Sequence, residues 1–543
     1  MLVREHGGDT DASQGSGPTT SYGWLLGVGC ARLPSGAADA LRALGDAMTV
    51  WDSAPAEEST IPAIYTYWGQ FIDHDLTAGT DTDTPGLGLA PPIPHPPGEV
   101  TAKVRNLRRP RLDLDSVYGD GPGSADAGLY DGPCLRVGTV SDLGEGAPIP
   151  PEGDHERDLP RLGPLLDAGV ITEGDIPLEL RTAPHRRSIA WIGDLRNDAN
   201  LITAQLHVAY LRFHNHVVER IRAAPADFGV AGPQDPGLFD VARRLVRWHH
   251  QYLVLHDYLE RVSVPGTVTR MLADGPQHYR PLPDGELWMP LEFAAAAFRF
   301  GHSMIRDSYD LNRNRGLGAV IERAASTDML FQYTGRGAER LPQNRLLSQV
   351  LPFDGRSEVL PADMVWEADR LCDESNLHPA RRARQIDWRI SAPLRNMANR
   401  VGEGADDDLR RLLRQLPPRN LLRGYVLSLP TGQAAAHALG VDQLSAEELD
   451  EPELPSLAAG GFLKQTPLWF YVLREAEVRG GGNHLGETGS AIVAETIVGL
   501  LKGDPTSYLN ADTPWDPSQG VLLDDGRQIR TIRDFLQFAG IPA

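Results

Sequence analysis

The sequence predicts a large, mainly α protein: one helical domain with long irregular connections and little β structure. Three observations carry this prediction. Apolar residues recur at helical spacing over long stretches, above all 198–221 and 239–262. Strand-like alternation is sparse. Between the helical stretches lie connections rich in Pro, Gly and Asp, which punctuate local structure.

The elements follow in order. MLVREHGGDTDASQGSGPTT is polar and acidic and reads as a disordered tail over 1–20, leaving 21–543 as the domain. In YWGQFIDHDL and just before it, Ile64, Tyr67, Trp68, Phe71 and Ile72 mark a largely buried helix face. Residues 80–100 form a Pro/Gly/Asp loop with no regular element, and 119–160 are similar. One helix is expected from Asp198 to Ile221, a second from Phe239 to Val262 and a third from Leu291 to Ile305. Shorter ones fit DMVWEADRLC, DDLRRLLRQL, TGQAAAHALG, TPLWFYVLREAEV and SAIVAETIVGLL. Asp194, Asn197 or Asp198 is expected to cap the first long helix. Pro417 and Pro418 open another. The string His214-Asn215-His216 reads as helix packing, and RRAR, Arg381 to Arg384, as a solvated face.

Composition bounds the function. By length alone, 543 residues suggest roughly three to four domains. The formal net charge of −21 argues against nucleic acid or an anionic membrane surface as a main partner, since both need a basic footprint. The three cysteines, Cys30, Cys134 and Cys372, show no paired or zinc-like spacing. So sparse a set suggests reduced thiols. The start has no apolar leader, and no run of about 18 apolar residues occurs. The expectation is a cytoplasmic chain with no transmembrane segment.

Five segments carry chemistry. Asp73-His74-Asp75 sets three titratable groups in a row on an apolar helix. Buried charges need partners, so the triplet asks for a metal, a cofactor or a counter-charge. Gln70 shares a face with His74, while Asp73 and Asp75 point to opposite sides of it. In RRPRLDLDSVYGDG, Asp113 and Asp115 alternate with leucines on an extended loop, which suits a hard cation with oxygen ligands. EFAAAAFRFGHSMIRD is apolar nearly all round, yet holds Arg299 and His302 three apart. Its four alanines and Gly301 leave room for a flat group close to the backbone, and a buried Arg needs an anion. GDLRNDANL places Arg196 just outside a helix start. In LPPRNLLRGY, Asn420 suits an imidazole N–H and Arg423 a carboxylate. Each segment alone also has a bland reading: a bonded core histidine, an acidic turn or a capped helix.

Together these segments resemble the animal-type haem peroxidase superfamily, that of myeloperoxidase, peroxidasin and the cyclooxygenases, in its bacterial branch. WGQFIDHDL, LDLDSVYG, GDLRND…LHVAYLRFHNH, AFRFGH and RNLLRG occur in the family's order over roughly residues 60–425. GGGNHLGETGSAIVAETIVGLL extends the likeness. The resemblance implies a haem b cofactor and a calcium ion. It makes His74 the distal histidine, Arg196 the distal arginine and Gln70 the distal glutamine. His302 becomes the iron ligand and Asn420 the acceptor of its second ring N–H. Arg299 and Arg423 match positions near the haem propionates. Asp75, Asp113 and Asp115 match calcium ligands, joined by the backbone carbonyls of Arg109 and Arg111. Asp73 matches a carboxylate that forms an ester with the haem.

Departures stand beside the matches. Ala199 falls where mammalian members carry a second ester-forming Glu, and Asn200 where myeloperoxidase carries a haem-linked Met, so at most one link remains. Arg109 replaces a hydroxyl ligand of the calcium loop. The implied reaction reduces hydrogen peroxide through a ferryl haem. It then oxidises an organic donor, a halide or thiocyanate. The family's frequent secretion stands against the cytoplasmic expectation. A fatty-acid dioxygenase of the same superfamily is the nearest alternative, but its radical tyrosine falls on Arg299 here. From another class, His74-Asp75 with His249, His250, His256 and Asp257 suggests an HD-type metal phosphohydrolase, a reading that leaves Arg196, Arg299 and Asn420 unexplained.

Overall fold

The computed structural model describes residues 20–49, 58–79, 87–124, 126–142, 153–183, 185–317, 324–335, 352–372, 378–397 and 407–541. The expected tail, except Thr20, lies outside these residues, as do 80–86, 125 and 143–152 of the two expected loops.

The chain is mainly helical, as the periodicity predicts. The helices that matter here are α1 (Ala38–Ala47), α2 (Ile64–Leu76), α3 (Pro97–Lys103), α4 (Leu201–Ala223), α5 (Leu238–Leu253), α6 (Leu291–Ala295), α7 (Leu416–Val426), α8 (Leu468–Gly480), α9 (Glu487–Gly503) and α10 (Ile532–Phe538). Strands are short. Thr20–Gly23 lies between Arg105–Asn106, antiparallel, and Met289–Pro290, parallel. Glu58–Pro62 pairs antiparallel with Arg382–Arg384. Among the described residues no helix is long and apolar enough to cross a membrane.

α4 is the spine. It packs against α2, α5 and α10, and most of its circumference is buried. A helix enclosed on all sides must pair its polar groups internally. Gln205 donates to the Arg157 carbonyl at 2.7 Å. His214 donates to the Pro133 carbonyl at 2.8 Å and accepts from the Tyr118 hydroxyl at 3.0 Å. Asn215 holds both the N–H and the C=O of Leu135, and His216 donates to the Phe538 carbonyl. The string His214-Asn215-His216 therefore serves packing.

Burial also pushes imidazole pKa values down, because the charged form loses its hydration. His207, His249 and His250 fall to about 3 and His214 to about 4. These rings take up protons at 6.5 when unfolded but resist them when folded, so the unfolded state binds more protons between those values. Stability is therefore expected to be full above pH 6.5 and to fall steadily as pH drops toward 4. Urea unfolding midpoints across that range check this; a flat profile would contradict it.

Four expectations are corrected. The third long helix is not continuous. α6 stops at Ala295, Ala296 leaves the helical region with φ −141° and ψ −73°, and a tighter turn follows over Ala297–His302. The Arg299 side chain donates to the Ala294 carbonyl at 3.0 Å, which ends the helix there. The 80–100 stretch is not wholly irregular, since α3 begins at Pro97 with proline in its first turn. Arg384 is buried, Arg382–Arg384 is a strand, and Arg381 pairs with Asp310, so RRAR is not a solvated face. Finally, the cap of α4 is Asn200, whose side chain accepts from the Thr203 N–H at 2.9 Å.

Close approach fixes one glycine on α2. A β-carbon at Gly69 would lie 2.2 Å from the Tyr258 hydroxyl oxygen, and Tyr258 is itself buried. Gly69→Val is expected to cost about 1–3 kcal/mol, the usual penalty for overpacking a core. A lowered denaturation midpoint with an unchanged m-value is the readout.

Candidate active site

α2 presents one open face. All thirteen of its residues are buried except Gln70 and Asp73, which are one turn apart. His74, in the last turn, is 5% exposed. Its Nδ1 lies 2.8 Å from the Asn197 side-chain oxygen. An amide oxygen only accepts, so Nδ1 carries the proton and Nε2 holds the basic lone pair. The Asn197 amide nitrogen in turn donates to His207 Nδ1 at 3.0 Å. Gln70 Oε1 accepts from Asn200 at 2.9 Å and from the Thr203 hydroxyl at 3.2 Å. Asp73 accepts from the Thr77 hydroxyl at 2.8 Å.

Arg196 sits in a short turn, Leu195–Asp198, that Asp194 caps. Its guanidinium grips the Asp194 carboxylate at 2.6–3.1 Å and donates to the His74 carbonyl at 2.7 Å and the Thr77 carbonyl at 2.8 Å. It thus closes the C-terminal end of α2, where helix carbonyls lack N–H partners. Asp194 is wholly buried. Burial alone would raise its pKa, but Arg108 and Arg196 outweigh that and hold it well below the usual carboxylate range.

The second half of the site is the Ala297–His302 turn, which packs against α2, α8 and α9. Ala297, Phe298 and Phe300 are buried, whereas Arg299, Gly301 and His302 are only half-buried. Among the described residues, a β-carbon at Gly301 would meet nothing within 4 Å. Room therefore lies beside His302, as it does beside Gln70 and Asp73. Asn420, on α7, joins the two predicted partners. Its amide nitrogen is 3.0 Å from His302 Nδ1, and its oxygen accepts from Arg299 at 2.7 Å. The sequence implies that Asn420 accepts from His302; here the guanidinium draws the oxygen to itself and the nitrogen faces the ring. Trp469 meets His302 edge-on, with ring centroids 6.4 Å apart. Arg423, also on α7, is buried and donates to the Leu87 carbonyl at 3.0 Å.

The carboxylates Asp75, Asp113 and Asp115 converge, each offering an oxygen within 4.8 Å of the others. The loop does not run extended, as the alternation suggests. Leu112 and Leu114 adopt left-handed φ values of 50° and 60°, and Asp115 starts a helical turn. This curl turns Asp113 and Asp115 to one side and aims the Leu114 N–H at Asp75, 3.1 Å away. Left-handed leucines are costly, so the site is over-determined by its surroundings. Burial, then the Asp115 and Asp113 charges, pushes Asp75 well above the usual range. Asp113 rises to about 6 for the same reasons, burial first and then Asp115. Arg108 bonds Asp115 at 2.9 Å and also pairs with Asp194. The Arg109 guanidinium lies 3.7 Å from Asp113 and 3.8 Å from Asp115. The Arg111 carbonyl accepts from Gln251 at 3.4 Å. Oxygen donors at this spacing fit a calcium ion, which takes oxygens at about 2.3–2.6 Å.

Among the described residues no other group of three His, Cys, Asp or Glu converges this way. His249, His250, His256 and Asp257 are used elsewhere, accepting from the Val521 N–H or bonding to Tyr210, Tyr508 and Tyr65. The HD-type hydrolase reading therefore finds no metal cluster. Sequence reasoning missed Asn197 as the partner of His74, and His207, Asp194 and Arg108 behind it. The one signal was that Asp194 and Asn197 flank Arg196 in GDLRND, that Arg108 opens RRPRLDLDSVYGDG and that His207 lies in LHVAYLRFHNH.

These features define a helical protein with histidines on two helical segments that pack together, each segment carrying half-buried residues, and an acidic cluster behind one of them. The chain matches the family model "Animal haem peroxidase" over residues 170–341. It is 27% identical over 267 residues to a "Peroxidase-like protein" of Margaritifera margaritifera, covering 45% of this chain and 32% of that one. It is 26% identical over 315 residues to "Probable oxidoreductase PXDNL" of Homo sapiens, covering 49% and 20%. The chain thus spans a third or less of these relatives. Among solved structures, peroxidase A of Dictyostelium discoideum superposes with a TM-score of 0.55 at 16% identity, covering 97% of this chain and 94% of that one. The fatty acid alpha-dioxygenase of Oryza sativa gives 0.52 at 14% identity, covering 92% and 78%. Likeness at these identities speaks to the fold.

Proposed function

We propose that this chain reduces hydrogen peroxide at a haem b carried by His302 and oxidises a small organic donor or a (pseudo)halide. The single observation that carries the reading is His74: Asn197 fixes its Nδ1 proton, which leaves Nε2 as the base, on a helix packed against the turn that bears His302. Haem, when bound, supplies the two electrons that split the peroxide O–O bond. His74 takes a peroxide proton at Nε2 and returns it to the leaving oxygen, as general base and then acid. Arg196 keeps a permanent positive charge beside it, and Gln70 holds water on the open face. Arg299 and Arg423 supply charge for the propionates. Asp73, half-buried on the open face of α2, would form the single ester link.

His302 binds iron through Nε2 only if Nδ1 keeps its proton, so Asn420 must offer its oxygen to the ring. A half-turn of the amide achieves this once the Arg299 guanidinium leaves Asn420 for the propionates. The proposed calcium ion, held by Asp75, Asp113, Asp115 and the Arg109 and Arg111 carbonyls, offsets the mutual repulsion of the crowded carboxylates. Removing it with a chelator is expected to lower the melting temperature, and added calcium to restore it. An unchanged melting temperature would remove the ion from this reading. The dioxygenase alternative lacks a tyrosine three residues before His302, where Arg299 stands.

The test is the absorption spectrum of the haem-loaded protein with and without peroxide. A strong haem band that shifts with peroxide and returns with a phenolic donor is the expected result. Failure to take up haem would sink the reading.

A further inference from the structure

Tyr210 lies midway along α4 and is wholly buried. Its hydroxyl accepts from Trp68 Nε1 at 3.2 Å. The indole only donates, and among the described residues His250 Nδ1, 2.8 Å away, is the one acceptor within reach of the hydroxyl, so the phenol gives its proton there. That places the His250 proton on Nε2, which is buried without a hydrogen-bond partner among the described residues. A stranded N–H costs about 1–3 kcal/mol, and an apolar residue would fill the same space without it. Packing alone therefore accounts poorly for a histidine here.

The ring of Tyr210 is tied to α2 twice. Besides the Trp68 bond, it stacks on Phe71 with centroids 4.5 Å apart and planes within 5°. Phe71 is three residues before His74. On its other side Tyr210 meets Phe535 of α10 at 4.6 Å, and Phe535 stacks on Phe213 at 4.2 Å. A column of rings thus runs from the histidine-bearing helix through Tyr210 to α10.

We propose that Tyr210, with His250 as its proton acceptor, is a one-electron relay of the peroxidase reaction, which carries an oxidising equivalent from the haem pocket toward α10. The inference rests on the peroxidase reading. Reduction of one hydrogen peroxide to water leaves the cofactor short of two electrons. Tyr210 returns one of them. Its O–H bond breaks, the proton forms a new bond to His250 Nδ1, and a neutral phenoxyl radical faces an imidazolium. A phenol that has lost an electron is a strong acid, so even a ring whose pKa burial holds near 3 accepts this proton. An organic one-electron donor then reduces the radical and the proton goes back to oxygen. Tyr118 provides the internal control: it makes a similar bond to His214, but its aromatic contacts are His214 and Phe239.

Freeze-quenched electron paramagnetic resonance of the haem-loaded protein after peroxide tests this. The expected signal is a tyrosyl radical, narrowed by ring-deuterated tyrosine, retained in Tyr118→Phe and lost in Tyr210→Phe. Should Tyr210→Phe fail to fold, 3-fluorotyrosine placed at position 210 must add a fluorine splitting to the signal. An undiminished signal in Tyr210→Phe, or no fluorine splitting, overturns the relay alone. So does a haem band that shifts with peroxide while no tyrosyl signal forms. A chain that binds no haem overturns the peroxidase reading and the relay with it.

Discussion

His302→Ala is expected to abolish the haem absorption band of the reconstituted protein and, with it, all peroxide-dependent oxidation. Iron held by one protein nitrogen loses its anchor when that nitrogen goes. The fold should survive, because His302 is half-buried and its turn is pinned by the Phe298 and Phe300 side chains in the core. Far-ultraviolet circular dichroism separates the two outcomes. A variant that stays helical but colourless supports His302 as the ligand. A variant that keeps a full band moves the ligand elsewhere. Asn420→Ala should sit between these extremes, with haem bound but the band shifted, since the ring would lose its orienting partner.

His74→Ala is the second large effect, and its signature is the reverse: haem retained, chemistry lost. Removing a general acid–base group typically costs about 10²–10⁴ in rate. Stopped-flow mixing with peroxide reads this directly as a slowed spectral shift. A rate equal to wild type would mean that another group moves the proton. Asn197→Ala tests the same chemistry from behind. Without the amide oxygen, Nδ1 no longer has the partner that holds the proton on that side, and a smaller loss in the same step is expected.

The elements most legible in the sequence were those set by local rules. The long helices α4 and α5 announce themselves by apolar spacing, and α2 does so despite its acid–His–acid triplet. What stayed hidden was set at a distance. Asp194, Asn197 and Asp198 are all good caps by type, yet none caps α4. Asp194 is claimed by Arg108 and Arg196, Asn197 by His74 and His207, and Asp198 by Arg161. Asn200 is left to do it. The alanine run at 294–297 likewise favours helix by propensity, and only the Arg299 side chain reveals why it breaks. In the acidic loop, alternation suggested an extended chain, while two left-handed leucines make the carboxylates converge. Of the site, the resemblance pointed to the residues that would touch cofactor, ion or peroxide. Their supporting partners lie in the same motifs, but nothing in the spacing says which residue each one holds.

Those partners form one continuous chain of charge. Arg196 binds Asp194, Asp194 pairs with Arg108, Arg108 bonds Asp115, and Asp115 faces Asp75 one residue from His74. Residues wired in this way do not vary independently. A change that is harmless at Arg108 in one background should be severe in another, and double mutants of Arg108 and Asp115 should depart from additivity. For anyone who seeks to transplant this pocket or to reshape it by directed evolution, the unit of inheritance is the whole chain of ions, to be moved or altered together.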